Sequence, residues 1–347
     1  MNARGMISVV LITYNHERYI GAAIESILNQ TYPRLELVVV DDGSSDKTRE
    51  IARSYKDPRA IVIETDNSGP SIALNKGVER SKGDYIAFMS GDDVALPNRL
   101  HSQFDQLNTH NLDLVFSLPS IIGPRSEPLH NDVCPWFFER FFSDTAELYR
   151  QLFWYGNFLC APSAMIRRNA LDKVGRFKRG LVQLQDYDFW VRACKHGLAI
   201  KLFRNPLVKY RHRRGLNLSD KKNNNRVRVE NRGIYRDYFD NVPEDLFSRA
   251  FNKKTHPLQG TYAIQDFEID KTLLLLSHSD PDVRIIGHER LVNQLEDDGI
   301  FERLVQKRTF DLDSFFKSAN EIHLEGNHER GALRSIRAFF RRRLTRS

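Results

Sequence analysis

Tyr85-Ile86-Ala87-Phe88-Met89-Ser90-Gly91-Asp92-Asp93 is the stretch on which the reading of this chain turns. Its largely apolar first part, Tyr85 to Met89, suits a strand buried on both faces. The strand stops at a small residue, a glycine and two adjacent carboxylates. At the carboxyl end of a parallel strand, such groups stand where open α/β sheets bind ligands. Neighbouring carboxylates repel unless a cation or a donor-rich ligand is present. Hard oxygen ligands of this kind suit Mg²⁺ or Mn²⁺, which bind through one or two carboxylates plus substrate phosphates. The competing reading is a solvated helix start, because aspartate is common there.

The flanking sequence repeats the pattern of strand then helix. Ile7 to Ile12, Leu35 to Val40 and Ala60 to Ile63 read as strands, and Leu112 to Phe116 as a fifth. Helical spacing covers Tyr19 to Gln30 and Ser71 to Arg80, and Ser44 or Ser45 can cap a helix running to about Tyr55. Strands alternating with helices predict a parallel sheet covered on both faces. Polar residues gather at the strand ends: Thr13-Tyr14-Asn15, then Asp41-Asp42-Gly43-Ser44, then Asp92-Asp93. A nucleotide site needs such an edge. Tyr14 can stack on a base, Asp42 can accept from a base imide, and Gly43 permits a tight turn. No G-x-G-x-x-G follows the first strand and no P-loop motif occurs, which argues against a dinucleotide fold and a P-loop NTPase.

At 347 residues the chain can hold two domains. Three scattered cysteines offer neither a disulfide framework nor a zinc spacing, so a reducing, cytoplasmic setting is expected. The sequence shows no signal peptide and no apolar run of membrane-spanning length. The net charge of +7 is uneven: residues 329–347 carry seven arginines against one glutamate. The basic character belongs to the tail, and no nucleic-acid motif accompanies it.

Ser8-Val9-Val10-Leu11-Ile12-Thr13-Tyr14-Asn15 and Val40-Asp41-Asp42-Gly43-Ser44-Ser45-Asp46-Lys47-Thr48 together resemble the opening of family 2 glycosyltransferases with the GT-A fold. Asn67-Ser68-Gly69-Pro70, Leu74-Asn75-Lys76-Gly77 and Gly83-Asp84-Tyr85-Ile86 continue the match in order, over about residues 6–215. The resemblance implies an α/β, GT-A-like fold with a mostly parallel central sheet and helices on both faces, spanning residues 1–219. It also implies a nucleotide-diphosphate sugar donor, a Mn²⁺ or Mg²⁺ ion, and inversion at the anomeric carbon. Thr13, Tyr14, Asn15, Asp42, Asn75 and Asp92 would then contact the donor, and Asp93 with Asp92 the metal. One departure stands out: many members carry a first aspartate where this chain has Ser90.

Gln185-Asp186-Tyr187-Asp188-Phe189-Trp190 resembles the family's Glu-Asp-x-Asp-x-Trp segment, with Gln185 in place of glutamate. The resemblance makes Asp186 the general base and leaves Asp188 as a structural partner of an arginine. Loss of one neighbouring acid is expected to leave the Asp186 pKa lower. The aromatic stretch Phe137 to Tyr155 reads as a core-facing helix with its flanking loop, in preference to an acceptor platform. Arg211-His212-Arg213-Arg214 closes the resemblance, which implies a loop over the donor diphosphate in which His212 binds the metal or a phosphate and the arginines neutralise the diphosphate.

Residues 220–347 read as an accessory helical region, with helices near Thr261–Ser277, Asp282–Asp297, Gly299–Lys307 and Asp311–Ile322. In residues 330–347, Leu333, Ile336, Phe339, Phe340 and Leu344 share a helical face among the arginines, as in helices that lie on an anionic membrane surface. A solvated tail is the alternative. The expected function is metal-dependent inverting sugar transfer to a glycan or lipid-linked acceptor, in bacterial surface polysaccharide or glycolipid synthesis, peripheral to the inner face of the cell membrane. The rivals are a nucleotide-sugar-binding assembly protein, suggested by the missing acids at 90 and 185, and a sugar-1-phosphate nucleotidyltransferase. The second would be expected to show a glycine-rich loop after the first strand, and Thr13 to Arg18 contains no glycine.

Overall fold

The four leading apolar runs become neighbouring strands. β1 (Ile7–Thr13), β2 (Leu35–Asp41), β3 (Ala60–Glu64) and β4 (Tyr85–Ser90) lie parallel in the order β3-β2-β1-β4. This is seen in a computed structural model that describes residues 5–129, 138, 140–213, 224–251, 266–300 and 302. Side chains alternate across the sheet, as the strand period requires. Val9 and Leu11 face a core shared with Ile20, Ile24 and Ile27 of α1 (Ile20–Leu28) and with Leu100 and Leu107 of α4 (Arg99–Thr109). On the opposite face, Val38 and Val40 meet Ala73 of α3 (Pro70–Arg80). Each such buried aliphatic side chain stabilises the fold by about 1.5–3 kcal/mol. Gly77 lets α3 come close: a Cβ there would lie 2.4 Å from Val10 Cγ1.

The sheet continues through β7 (Met165–Arg167), β6 (Leu114–Ile122), β8 (Ile200–Arg211) and the short β5 (Val94–Ala95). Among the described residues eight strands form the sheet, and only β7 and β5 run against the rest. The expected mostly parallel sheet with helices on both faces is therefore what forms. β6 runs past its expected end at Phe116. A register shift between Ser117 and Pro119 absorbs the proline, which has no N–H to donate, and pairing with β8 then resumes.

Within the aromatic stretch, residues 145–155 form a helix that faces the core, with Tyr155 at its end exposed. α5 (Thr145–Tyr155) buries Leu148, Tyr149, Leu152 and Phe153, and Asp144 caps it by accepting from the Glu147 N–H at 2.8 Å. α2 (Thr48–Ser54) starts differently from expectation. Neither Ser44 nor Ser45 caps it; the Asp46 carboxylate accepts from the Thr48 N–H at 3.0 Å. The Ser44 hydroxyl is engaged elsewhere, accepting from the Asn15 N–H at 2.9 Å.

By contact density the chain divides into two units, Met1–Glu230 with Asn241–Ala250, and Asn231–Asp240 with Phe251–Ser347. The first holds the sheet, α6 (Arg168–Val174), α7 (Gln185–Lys195), the start of α8 (Asn224–Arg236) and α9 (Glu244–Ala250). The second is helical. Its α10 (Phe267–Leu276) buries Ile269, Leu274 and Leu275, and α11 (Pro281–Gln294) buries Val283, Ile286 and Leu291. Asp280 caps α11 by accepting from the Asp282 N–H at 2.9 Å. The helix expected at residues 311–322 and the basic tail at 330–347 lie outside the described residues, as does most of the one expected at 299–307. No helix among the described residues is long and apolar enough to cross a membrane.

Candidate active site

Register decides where the polar strand ends meet. Thr13 pairs with Asp41 and Ile12 with Ser90, so β1, β2 and β4 finish level at one edge. A cleft of about 600 Å³ opens there, lined by Thr13, Tyr14, Asp42, Asp92, Asp93 and Asp186 among others. That is within the usual range for a small-molecule site.

Asp93 is fully buried and only half satisfied. Its Oδ1 accepts from the Arg211 N–H at 2.8 Å, while Oδ2 has no hydrogen-bond partner among the described residues. Burial pushes its carboxyl well above the usual range, and the Asp92 charge pushes the same way. Arg211 and the buried Arg99 oppose this, with less effect. Asp92 is better provided for. Ser90 Oγ donates to its Oδ1 at 2.5 Å, and Arg213 Nη2 lies 3.0 Å from its Oδ2. Ser90, where the resemblance led to the expectation of an acid, thus supplies a donor to Asp92 in place of a like charge.

His16 completes this edge. Arg213 Nη2 lies 3.1 Å from His16 Nε2, and His16 Nδ1 lies 3.2 Å from Thr13 Oγ1. Since arginine can only donate, Nε2 accepts and the proton sits on Nδ1. Burial lowers the His16 pKa, against the pull of Asp92.

Among the described residues no group of three or more histidine, cysteine or acidic side chains is placed to hold a metal. Asp92 and Asp93 nevertheless fit a hard divalent ion that takes its remaining oxygens from phosphate. The unpartnered Oδ2 of Asp93 is the open ligand, and a cation would relieve the repulsion within the pair.

Asp186 reaches the cleft from the first turn of α7. Its Oδ2 accepts from Asn157 Nδ2 at 2.8 Å and its Oδ1 from the Tyr187 N–H at 2.8 Å. Both bonds favour the charged form, yet burial outweighs them and lifts its pKa to about 6. Burial thus sets the Asp186 pKa above the ordinary aspartate value even with no acid at position 185. Asp188 is buried and paired with Lys178 at 2.9 Å and Arg192 at 2.8 Å, the structural role expected of it.

The model of the family described as "Glycosyl transferase family 2" matches residues 8–175. An uncharacterized glycosyltransferase of Methanocaldococcus jannaschii is 34% identical over 212 residues, which cover 59% of this chain and 70% of that protein. The chain belongs to glycosyltransferase family 2. A second relative, the putative teichuronic acid biosynthesis glycosyltransferase TuaG of Bacillus subtilis, is 34% identical over 131 residues, covering 37% of this chain and 52% of that protein. The chain thus spans only about half of the Bacillus protein. S. aureus TarS in complex with UDP-GlcNAc shares the fold, with a TM-score of 0.58, 18% identity and coverage of 84% of this chain and 88% of that one.

In this family 2 transferase Asn15, Asn75 and His212, also expected at the site, are not among the residues that line the cleft. Asn15, at a positive φ of 54°, accepts from the Ser45 N–H at 2.9 Å and ties the end of β1 to the loop after β2. Asn75 is buried in α3, and its amide exchanges two 2.9 Å hydrogen bonds with the backbone of Phe177. His212 donates its backbone N–H to the Ile122 carbonyl at 2.9 Å. Asp42 lines the cleft while shaping it: Oδ1 accepts from the Ser68 N–H at 2.7 Å and Oδ2 from the Gly69 N–H at 2.8 Å. Gly43 permits this, with φ at 76° and the Asn67 nitrogen 2.6 Å from where a Cβ would stand. Arg211, expected to meet the diphosphate, is instead buried, donating to Asp92 O and Gly123 O at 2.7 Å each. Of the described residues of the basic loop, Arg213 lines the cleft.

Sequence reading missed His16, Asn157 and Arg226 as cleft or near-cleft residues. Only proximity to the Thr13-Tyr14-Asn15 strand end pointed to His16. Nothing marked the other two.

Proposed function

We propose that this family 2 transferase moves a sugar from a nucleoside-diphosphate donor to a hydroxyl acceptor, with inversion and with Mn²⁺ or Mg²⁺. One observation carries the reading: a single cleft is lined by a buried carboxylate with an unpartnered oxygen, Asp93, and by a carboxylate of raised pKa, Asp186.

Tyr14, 43% exposed at the cleft, offers a ring face on which a base can stack, for about 1–3 kcal/mol. Asp42 keeps a lone pair on Oδ2 for a base N–H after accepting from Gly69. Asp93 and Asp92 would hold the ion, which when bound offsets charge gathering on the leaving diphosphate. Arg213 adds a second positive group beside Asp92. Asn15 and Asn75 serve the donor indirectly, by fixing the loops around it, and His212 belongs to the loop expected over the diphosphate. Asp186, more basic than an ordinary aspartate yet ionised at neutral pH, takes the proton of the acceptor hydroxyl as that oxygen attacks. Attack opposite the leaving group in one displacement inverts the anomeric centre.

The acceptor is a glycan or lipid-linked hydroxyl in surface polysaccharide or glycolipid synthesis, a reading supported by the name of the Bacillus relative. The composition of residues 330–347 supports peripheral attachment to an anionic membrane.

The test is release of nucleoside diphosphate from a panel of UDP-, GDP- and dTDP-sugars with Mn²⁺. Chelator should abolish release, and Asp186→Asn should lower turnover by ~10²-fold or more with UDP or GDP still bound. An inactive Asp188→Asn beside a fully active Asp186→Asn would move the base to Asp188.

A further inference from the structure

Glu230 stands on the first part of α8, beyond the residues that the family model matches. It is a buried carboxylate, and no base or metal role falls to it. Its Oε1 accepts from the Val182 N–H at 2.9 Å, and its Oε2 from the N–H groups of Gln183 at 2.9 Å and Leu184 at 2.8 Å. Three consecutive amides converging on one carboxylate form an anion-binding concavity, here filled by the protein's own side chain.

The captured segment matters for where it leads. Val182 and Gln183 line the cleft, Leu184 is the residue before α7, and Gln185 and Asp186 open that helix. Leu184 offers no side-chain cap, so the Glu230 carboxylate supplies negative charge at the positive end of α7. One turn back on α8, Arg226 also lines the cleft. Charge-assisted bonds to buried amides are strong and costly to lose.

We propose that Glu230 is the positioning residue that assembles the base side of this site. It holds Val182–Leu184 as a rigid wall and fixes the start of α7, so that Asp186 meets the acceptor hydroxyl in a reactive geometry. This rests on the reading of Asp186 as the base. Glu230 touches no reacting atom; it acts through the loop.

Three measurements on Glu230→Ala, Glu230→Gln and Glu230→Asp test it, using the full chain. Amide exchange followed by mass spectrometry should show the 181–186 segment opening at least about tenfold faster in the alanine variant. Calorimetry with UDP or GDP and Mn²⁺ should give nucleotide affinity within about threefold of wild type, because the amides that Glu230 holds belong to none of the residues assigned to the nucleotide or the ion. Turnover on the active nucleotide sugar should fall by about tenfold or more at nearly unchanged donor KM, since slight misplacement of a catalytic group is costly. Glu230→Gln, which keeps the shape and one acceptor oxygen, should fall between, and Glu230→Asp should recover part of the loss. Unchanged exchange in a folded Glu230→Ala, or equal losses of nucleotide affinity and turnover, would overturn the proposal. Should Glu230→Ala fail to fold, the same two results are read from Glu230→Gln. If instead Asp186→Asn keeps full turnover while exchange rises in Glu230→Ala, the clamp exists and the assignment of the base is what fails.

Discussion

Replacing Asp186 with asparagine should make the protein more stable at neutral pH while removing its activity. The Asp186 pKa is raised by burial from an ordinary 3.8 to about 6. The folded protein therefore holds a proton that the unfolded chain gives up between those two values. Stability falls as pH rises through that window, and the full penalty is present above pH 6. A shift of about 2 units corresponds to about 3 kcal/mol at 1.36 kcal/mol per unit. The carboxylate is half-buried and accepts two hydrogen bonds that asparagine reproduces only in part, so about 1–2 kcal/mol is the expected gain. Urea unfolding of wild type and Asp186→Asn at pH 7.5, 6.0 and 4.0 reads it directly. The midpoint of the variant should lie above wild type at pH 7.5, and the two should converge at pH 4.0. Wild-type turnover should fall as pH drops through about 6, roughly tenfold per unit below it. A variant less stable than wild type at pH 7.5, or a gap that does not narrow with acid, would refute the account of a base raised by desolvation.

UDP or GDP with Mn²⁺ at a hundredfold excess over Kd should stabilise the wild type by about 2.7 kcal/mol, and Asp93→Asn should lose the part of it that depends on Mn²⁺; an undiminished Mn²⁺ effect would contradict the assignment of its free oxygen. Gly43→Ala should cost about 1–3 kcal/mol in chemical denaturation and weaken nucleotide binding, because both its positive φ and the adjoining Asn67 backbone exclude a Cβ. Deleting residues 330–347 should release the protein from anionic liposomes without changing nucleotide release, and added salt should weaken the wild-type attachment, each charge being worth up to ~1 kcal/mol near the leaflet. If the full chain ignores such liposomes at low salt, the tail has no membrane role.

Much of the fold was legible because β1, β2 and β4 are buried on both faces and so read as unbroken apolar runs. The two-residue β5 carries no pattern of its own and exists through pairing with β8. The cap of α2 was misread because the Ser44 hydroxyl, a good cap in isolation, is drawn off by the backbone of Asn15. Asp92 and Asp93 could be picked out as carboxylates at a strand end, and Asp186 through the resemblance of its segment to the family's. Their electrostatics could not, since the Asp186 pKa depends on solvent exclusion that no spacing reveals. His16 meets Arg213 across 197 positions, so neither residue signals the other along the chain. Glu230 follows a polar run that reads as a linker, and only tertiary contact turns it into a clamp.

The most direct test of the central claim is an anomalous difference map from crystals soaked with Mn²⁺ and UDP or GDP. A manganese peak bonded to Asp93 Oδ2 and to the nucleotide's phosphate oxygens is the predicted result. Nucleotide bound in the cleft with no manganese at Asp93, or manganese only at other carboxylates, would contradict it.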